Sequence, residues 1–277
     1  MFKPRLAAGG DHVAMEIGQH IAALERDGEL LAEAAEAAGP YAPVPACPGW
    51  RVRDLVRHQA YVHRWAMRHI LERPVDVIEE AAEAEVLCDG PPDHALIAAY
   101  QAGHATLVRA LREADPSVRC ATFMDSATTP LGFWARRQAH ETAIHRFDAQ
   151  RAAGTPDPVK AFAPGFAADG VDELIMGFAA RRKHRLPDGA GRSLSVRAAD
   201  AGGAWHVLLR DGITEVRREA EVRREADGPA GCTLDGPAAG LYAFLWNRCD
   251  LAAATVTAAG DPAVLDAWRS GVRVRWG

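Results

Sequence analysis

Glu141, His145 and Asp148 stand four and three residues apart in the run AHETAIHRFD, residues 139–148. On a helix, Glu141 and His145 lie about 40° apart and roughly one turn of rise from each other, so a carboxylate and an imidazole can converge on one cation. The stripe Trp134, Gln138, Glu141, His145, Asp148 repeats the four-three spacing of inward-facing positions in a helical bundle. Polar groups at such positions need partners, because each unpartnered one costs free energy. A divalent metal satisfies a carboxylate and an imidazole together. His140 sits about 140° around the helix from His145, so the run is not the H-E-x-x-H zinc protease motif, and His140 is the poorer ligand.

A third ligand has to come from another helix. In the segment after Trp50 the inward stripe reads Leu55, His58, Val62, Trp65, His69, and His63 falls on a different face. Two imidazoles and one carboxylate make a site that zinc accepts, with a coordination position left open. The same donors also suit ferrous iron or other divalent ions. Asp148 then orients a ligand or contacts substrate. The same spacings also arise without a metal, from core histidines and from an i,i+4 Glu–His hydrogen bond. His20 and His104 occupy apolar stripes of their own helices, either as satisfied core residues or as the lining of a pocket at the bundle centre.

Four long helices must position these residues. Apolar spacing predicts the first over 11–38, ended by Gly39-Pro40. The proline-rich PYAPVPACPGW segment, 40–50, leads to a second helix over Val52–Glu72, stopped by Pro74. A third spans about Pro92–Ala114. The fourth starts with Thr129 as N-cap and Pro130 in the first turn, and runs to Ala153. Beyond residue 155 the texture changes. A helix over Ala167–Arg181 precedes short alternating segments, RSLSVRAA, AWHVLLR and ITEVRREAEV, separated by Gly/Asp turns. Then follow a helix in GPAAGLYAFLWNR, a strand AATVTAAG, a helix DPAVLDAWRS and a last strand VRVRW. The expected fold is a two-domain chain: an all-α four-helix bundle over 1–155, then an α+β domain with a mainly antiparallel sheet over 165–277.

Composition excludes several classes. A formal net charge of -5 gives no electrostatic footprint for nucleic acid. The basic residues of EVRREAEVRREADG alternate with glutamates and read as a solvated face. No apolar run is long enough for a membrane span, and the first residues lack the apolar core of a signal peptide. Five scattered cysteines without a C-x-x-C suit a reducing compartment, so a cytoplasmic enzyme is expected. Cys47, beside Pro48-Gly49-Trp50, reads as a packed small hydrophobe, and Arg57 as a solvated side chain.

The segments PACPGWRVRDLVRHQ and FWARRQAHETAIHRFDAQ, in that order, resemble the mycothiol-dependent maleylpyruvate isomerase family, whose N-terminal half is a DinB-like four-helix bundle. GLYAFLWNR and AAGDPAVLDAW resemble that family's sterol-carrier-like C-terminal domain. The resemblance implies metal ligands His58, Glu141 and His145, with Asp148 as a trailing acid. It also implies a divalent metal, Zn2+ first, and mycothiol as a low-molecular-weight thiol cosubstrate. The expected activity is thiol-dependent isomerisation, or thiol transfer, on a small electrophile such as a cis-enoic keto acid. Arg248 is a candidate anchor for a substrate carboxylate, with a surface role as the alternative. A non-enzymatic binding or sensing protein on the same two domains is the competing reading.

Overall fold

The computed structural model describes residues 15–88, 90–124, 128–154, 156–180, 192–210, 213–218 and 231–272. They fall into two compact units, one over Met15–Pro156 and one from Asp157 onward.

The first unit is a bundle of four long helices, α1 (Ile17–Ala38), α2 (Val52–Glu72), α4 (Asp93–Glu113) and α5 (Pro130–Ala153), with a short α3 (Glu83–Cys88) between α2 and α4. Helix α1 packs on α5 and α4, and α2 packs on α4 and α5. The residues before Met15, where the first helix was expected to begin, lie outside the described set; the helix itself starts at Ile17. Thr129 caps α5 as expected, its Oγ1 accepting from Gly132 N–H at 3.2 Å, and Pro130 occupies the first turn. Helix α3 is a feature the apolar spacing did not announce: six residues are too few for a periodic signal.

Leu31, Ala35, Val52, Leu55, Val56, Leu96 and Tyr100 form one continuous core around Val44 of the proline-rich connector. That connector is folded back on itself. Val44 N–H donates to the Trp50 carbonyl and Val52 N–H to the Ala42 carbonyl, both at 3.0 Å. Within it Cys47-Pro48-Gly49-Trp50 forms a tight turn, with Trp50 N–H donating to the Cys47 carbonyl at 3.0 Å and Gly49 at φ +89°. Proline second and a positive-φ glycine third are what a type II turn requires. The turn delivers Trp50 immediately before α2.

Ion pairs tie the helices together. Buried Arg146 of α5 donates to buried Asp27 of α1 at 3.2 Å. Arg57 of α2 pairs with Asp93 of α4 at 2.8 Å, its side chain only 13% exposed. The expectation that Arg57 is solvated is therefore corrected: an acid on the neighbouring helix lies within reach of its long stem. His63 follows His58 by five residues on the same helix. It is buried in a polar knot, its Nε2 2.9 Å from Thr142 Oγ1 and 2.8 Å from Gln59 Nε2. Helix α2 faces both α4 and α5, so its buried arc is wider than one stripe.

The second unit opens with α6 (Pro164–Asp172), which continues as a π-helical segment over Glu173–Ala179. The sheet has the order β3-β2-β1-β4-β5, with β1 (Arg192–Ala198), β2 (Ala204–Arg210), β3 (Ile213–Arg218), β4 (Cys232–Gly236) and β5 (Thr257–Gly260). All neighbours are antiparallel except β1 and β4, which run parallel. Helix α7 (Ala238–Leu245) follows β4, the short α8 (Leu251–Ala254) precedes β5, and α9 (Pro262–Gly271) closes the described chain. Two details differ from expectation. CTLDG forms the interior strand β4, between β1 and β5, and the expected strand AATVTAAG is shortened because Asp250 caps α8, its Oδ1 accepting from Ala253 N–H at 2.8 Å. The expected last strand VRVRW lies, beyond Val272, outside the described residues. Asp172 joins helix to sheet, accepting from Trp205 Nε1 at 2.9 Å and from the Arg218 guanidinium at 2.8 Å. Among the described residues no helix is long and apolar enough to cross a membrane.

Gly28 of α1 packs directly under the His104 imidazole, and a Cβ there would land on the ring. His104 is held by its Nε2 contact to the Glu25 carbonyl at 3.2 Å and by stacking on Tyr100, so it has little room to yield. Gly28→Ala is expected to cost about 1–3 kcal/mol by urea denaturation. The same change in a His104→Ala background is expected to be close to neutral, as a double-mutant cycle reads it.

Candidate metal centre

Helices α2 and α5 bring His58, Glu141 and His145 together. One donor atom from each lies within 4.8 Å of the other two. Glu141 Oε1 is the meeting point, 3.3 Å from His58 Nε2 and 3.2 Å from His145 Nε2. Both histidines are buried, and the Glu141 side chain is 16% exposed. His58 and Glu141 come from separate helices; Glu141 and His145 are neighbours one turn apart on α5, as the i,i+4 spacing requires.

The orientation of His145 is fixed from behind. Its Nδ1 lies 3.1 Å from Asp148 Oδ2, and Asp148 is fully buried. A carboxylate that takes the Nδ1 proton leaves the Nε2 lone pair facing the meeting point, the usual arrangement behind a metal-bound histidine. Asp148 thus contacts His145 directly while its own side chain is closed off from solvent. The Cys47 thiol lies 3.9 Å from the same Asp148 oxygen while its residue packs on the hydrophobic core, in keeping with its reading as a small packed side chain.

Two participants went unnoticed in the sequence. The Trp50 indole lies against both imidazoles, with ring centroids 5.0 Å from His58 and 6.3 Å from His145. Its Nε1 donates to Glu83 Oε1 of α3 at 2.7 Å, so the connector turn and the short helix together hold it over the site. The other is Arg137, buried and ion-paired with Glu141 Oε2. Its signal was present as the i,i+4 spacing of Arg137 and Glu141 on α5.

The electrostatics follow from these contacts. Burial opposes ionisation of Glu141, yet the Arg137 charge and the hydrogen bonds of His145 and His58 hold its carboxyl well below the ordinary value. Burial lowers the pKa of His58. Burial also opposes the charge on His145, but the Asp148 and Glu141 carboxylates outweigh it and raise the pKa. One ionised carboxylate and two imidazole nitrogens on one point are a donor set that fits a borderline divalent ion such as zinc.

The other expected residues are dispersed. His20 and His140 meet edge to face at 6.1 Å, and His104 stacks with His63 and Tyr100. The four inward histidines thus do not form one cluster; only His58 and His145 share a site. Arg248 belongs to the second unit, just past α7, where its Nη1 donates to the Trp246 carbonyl at 2.8 Å.

Residues 21–150 match the family model for the mycothiol maleylpyruvate isomerase N-terminal domain, and residues 165–267 match the model for the MDMPI C-terminal domain. Two solved structures share the fold, the mycothiol-dependent maleylpyruvate isomerase and a histidine-to-alanine mutant of it. They align with a TM-score of 0.63 at 14% and 13% identity, covering 96% of this chain and all of theirs. No curated protein matches the chain.

Asp148→Asn is expected to weaken divalent-metal affinity by about 10–100-fold with helical content unchanged, as titration calorimetry and circular dichroism read it. Protons compete with a metal for His145 Nε2, and the raised pKa means that the proton is held to higher pH. Metal affinity is expected to climb as pH rises through about 6.5 and above, levelling once His145 is neutral. A flat profile between pH 6 and 8 would separate His145 from the ligand set.

Proposed function

The chain belongs to the mycothiol-dependent maleylpyruvate isomerase family, a family of enzymes, and we propose that it is a metal- and mycothiol-dependent isomerase of a small cis-enoic keto acid. The observation that carries this reading is the meeting of His58 Nε2, His145 Nε2 and Glu141 Oε1 at one point. His58, Glu141 and His145 hold a divalent ion, zinc first among the candidates, and Asp148 keeps His145 in the tautomer that can bind it. Such an ion lowers the pKa of a thiol bound to it, so that a thiolate is present at neutral pH.

The chain's own residues do the rest. Trp50 forms an apolar wall beside the imidazoles, restricting water at the place where sulfur meets the alkene. The low-molecular-weight thiolate adds to the electron-poor cis double bond, the resulting single bond rotates, and expulsion of the thiolate leaves the trans alkene. The carboxylate of such a substrate calls for a cationic anchor, and Arg248 is the residue put forward for it, since a guanidinium matches a carboxylate with two parallel hydrogen bonds. Thiol transfer to another electrophile uses the same first step, and it is distinguished by a product that keeps the sulfur.

The test is turnover of cis-enoic keto acids by metal-loaded protein with and without mycothiol. Isomerisation that requires both is the expected result; turnover unchanged by chelation or without thiol would sink the reading. His58→Ala and His145→Ala are expected to lose both bound metal and turnover while remaining helical, and Arg248→Ala to raise KM with kcat less affected.

A further inference from the structure

Glu141 has two oxygens with different occupations. Oε1 faces the two imidazoles, at 3.3 Å and 3.2 Å, whereas Oε2 is taken by Arg137 one turn earlier on the same helix. Arg137 is 3% exposed. A guanidinium is not sunk into a helical bundle without a counter-charge, and Glu141 supplies one. A guanidinium is always charged in a protein, so its hold on a carboxylate oxygen does not lapse with pH.

From this geometry we propose that Arg137 is a positioning residue for the metal centre: by holding Oε2 it leaves Glu141 a single oxygen for the ion and keeps a coordination position open for the thiol. The inference rests on the metal reading given above and deepens it. Two consequences follow from the residues alone. With Oε2 engaged, the Glu141 carboxylate cannot swing both oxygens onto the ion, so Glu141, His58 and His145 contribute three donors rather than four. That is the open arrangement of catalytic sites, in contrast to the closed four-donor arrangement of structural ones. The second consequence concerns charge. A divalent ion with Glu141 alone carries a net charge of about +1, and the Arg137 charge restores it to about +2 before a thiolate arrives. The more positive centre favours the thiolate over the thiol.

Arg137 acts through Glu141 and not on the reacting atoms, so activity alone does not isolate its role. Cobalt in place of zinc makes the site visible: the intensity of its visible bands reports coordination number, and a near-ultraviolet sulfur-to-cobalt band reports a bound thiolate. The experiment compares full-length wild type, Arg137→Gln and Arg137→Lys, each loaded with Co2+ and titrated with 2-mercaptoethanol. Expected for Arg137→Gln are full cobalt stoichiometry, weaker visible bands from a more crowded ion, and a thiol midpoint raised by about tenfold. Arg137→Lys, which keeps the charge, is expected to return most of the way to wild type in both spectra. A visible spectrum and thiol midpoint in Arg137→Gln equal to wild type would overturn the inference while leaving the metal reading intact. Where Arg137→Gln does not fold, Arg137→Lys carries the test, and a folded, cobalt-loaded Arg137→Lys that takes thiol as poorly as chelated protein overturns it. Wild type that takes up no cobalt would instead remove the metal reading itself, and this inference with it.

Discussion

A buried imidazole between two carboxylates is the constraint around which the helical half is arranged. His145 faces Asp148 through Nδ1 at 3.1 Å and Glu141 through Nε2 at 3.2 Å. A neutral imidazole has one N–H, so it can donate to only one of them. The second contact is favourable only with an added positive charge, which is either a second proton or a cation. The raised pKa of His145 expresses the first possibility, and the proposed metal centre is the second. His58 approaches the same Glu141 oxygen, and as a neutral imidazole it can bring its own Nε2–H to that contact.

Much of the remaining structure fixes those few atoms. The Arg146–Asp27 pair locks α5 against α1, and the knot of Gln59, His63 and Thr142 locks α5 against α2. Thr142 adjoins Glu141 and Gln59 adjoins His58 in sequence, so this polar knot sets the relative rotation of the two ligand-bearing helices. Apolar packing alone tolerates small slippage between helices. Buried hydrogen bonds do not, because a displaced donor or acceptor is left unsatisfied at a cost of about 1–3 kcal/mol. A ligand set drawn from two helices needs that kind of registration.

The sequence carried the bundle clearly and the site in part, for physical reasons visible in particular residues. Helical spacing, Thr129-Pro130 and Pro74 delimit the long helices, because capping and proline effects are local. The approach of His58, Glu141 and His145 to one another follows from helical spacing, with His58 set between apolar neighbours on its stripe. Arg57 was misjudged because assigning one buried stripe to α2 ignores that it packs on two neighbours. Trp50 was invisible as a wall, since its position depends on the type II turn at Pro48-Gly49 and on Glu83 from α3, a contact across 33 positions of sequence. In the second unit the strands with regular alternation were legible. The strand β4, parallel to β1, was not, because parallel pairing joins residues far apart in the chain.

Arg137 shows how the site's chemistry and the fold's stability share one interaction. In the absence of an ion, its pairing with Glu141 neutralises a carboxylate that burial would otherwise protonate. The bundle therefore keeps a ready anionic ligand without an unpaired buried charge. The same contact would temper the attraction of that carboxylate for a cation. A structural zinc site gains by maximal neutralisation and closure. Glu141, set between Arg137 and the two imidazoles, instead has its charge matched in part by the chain itself.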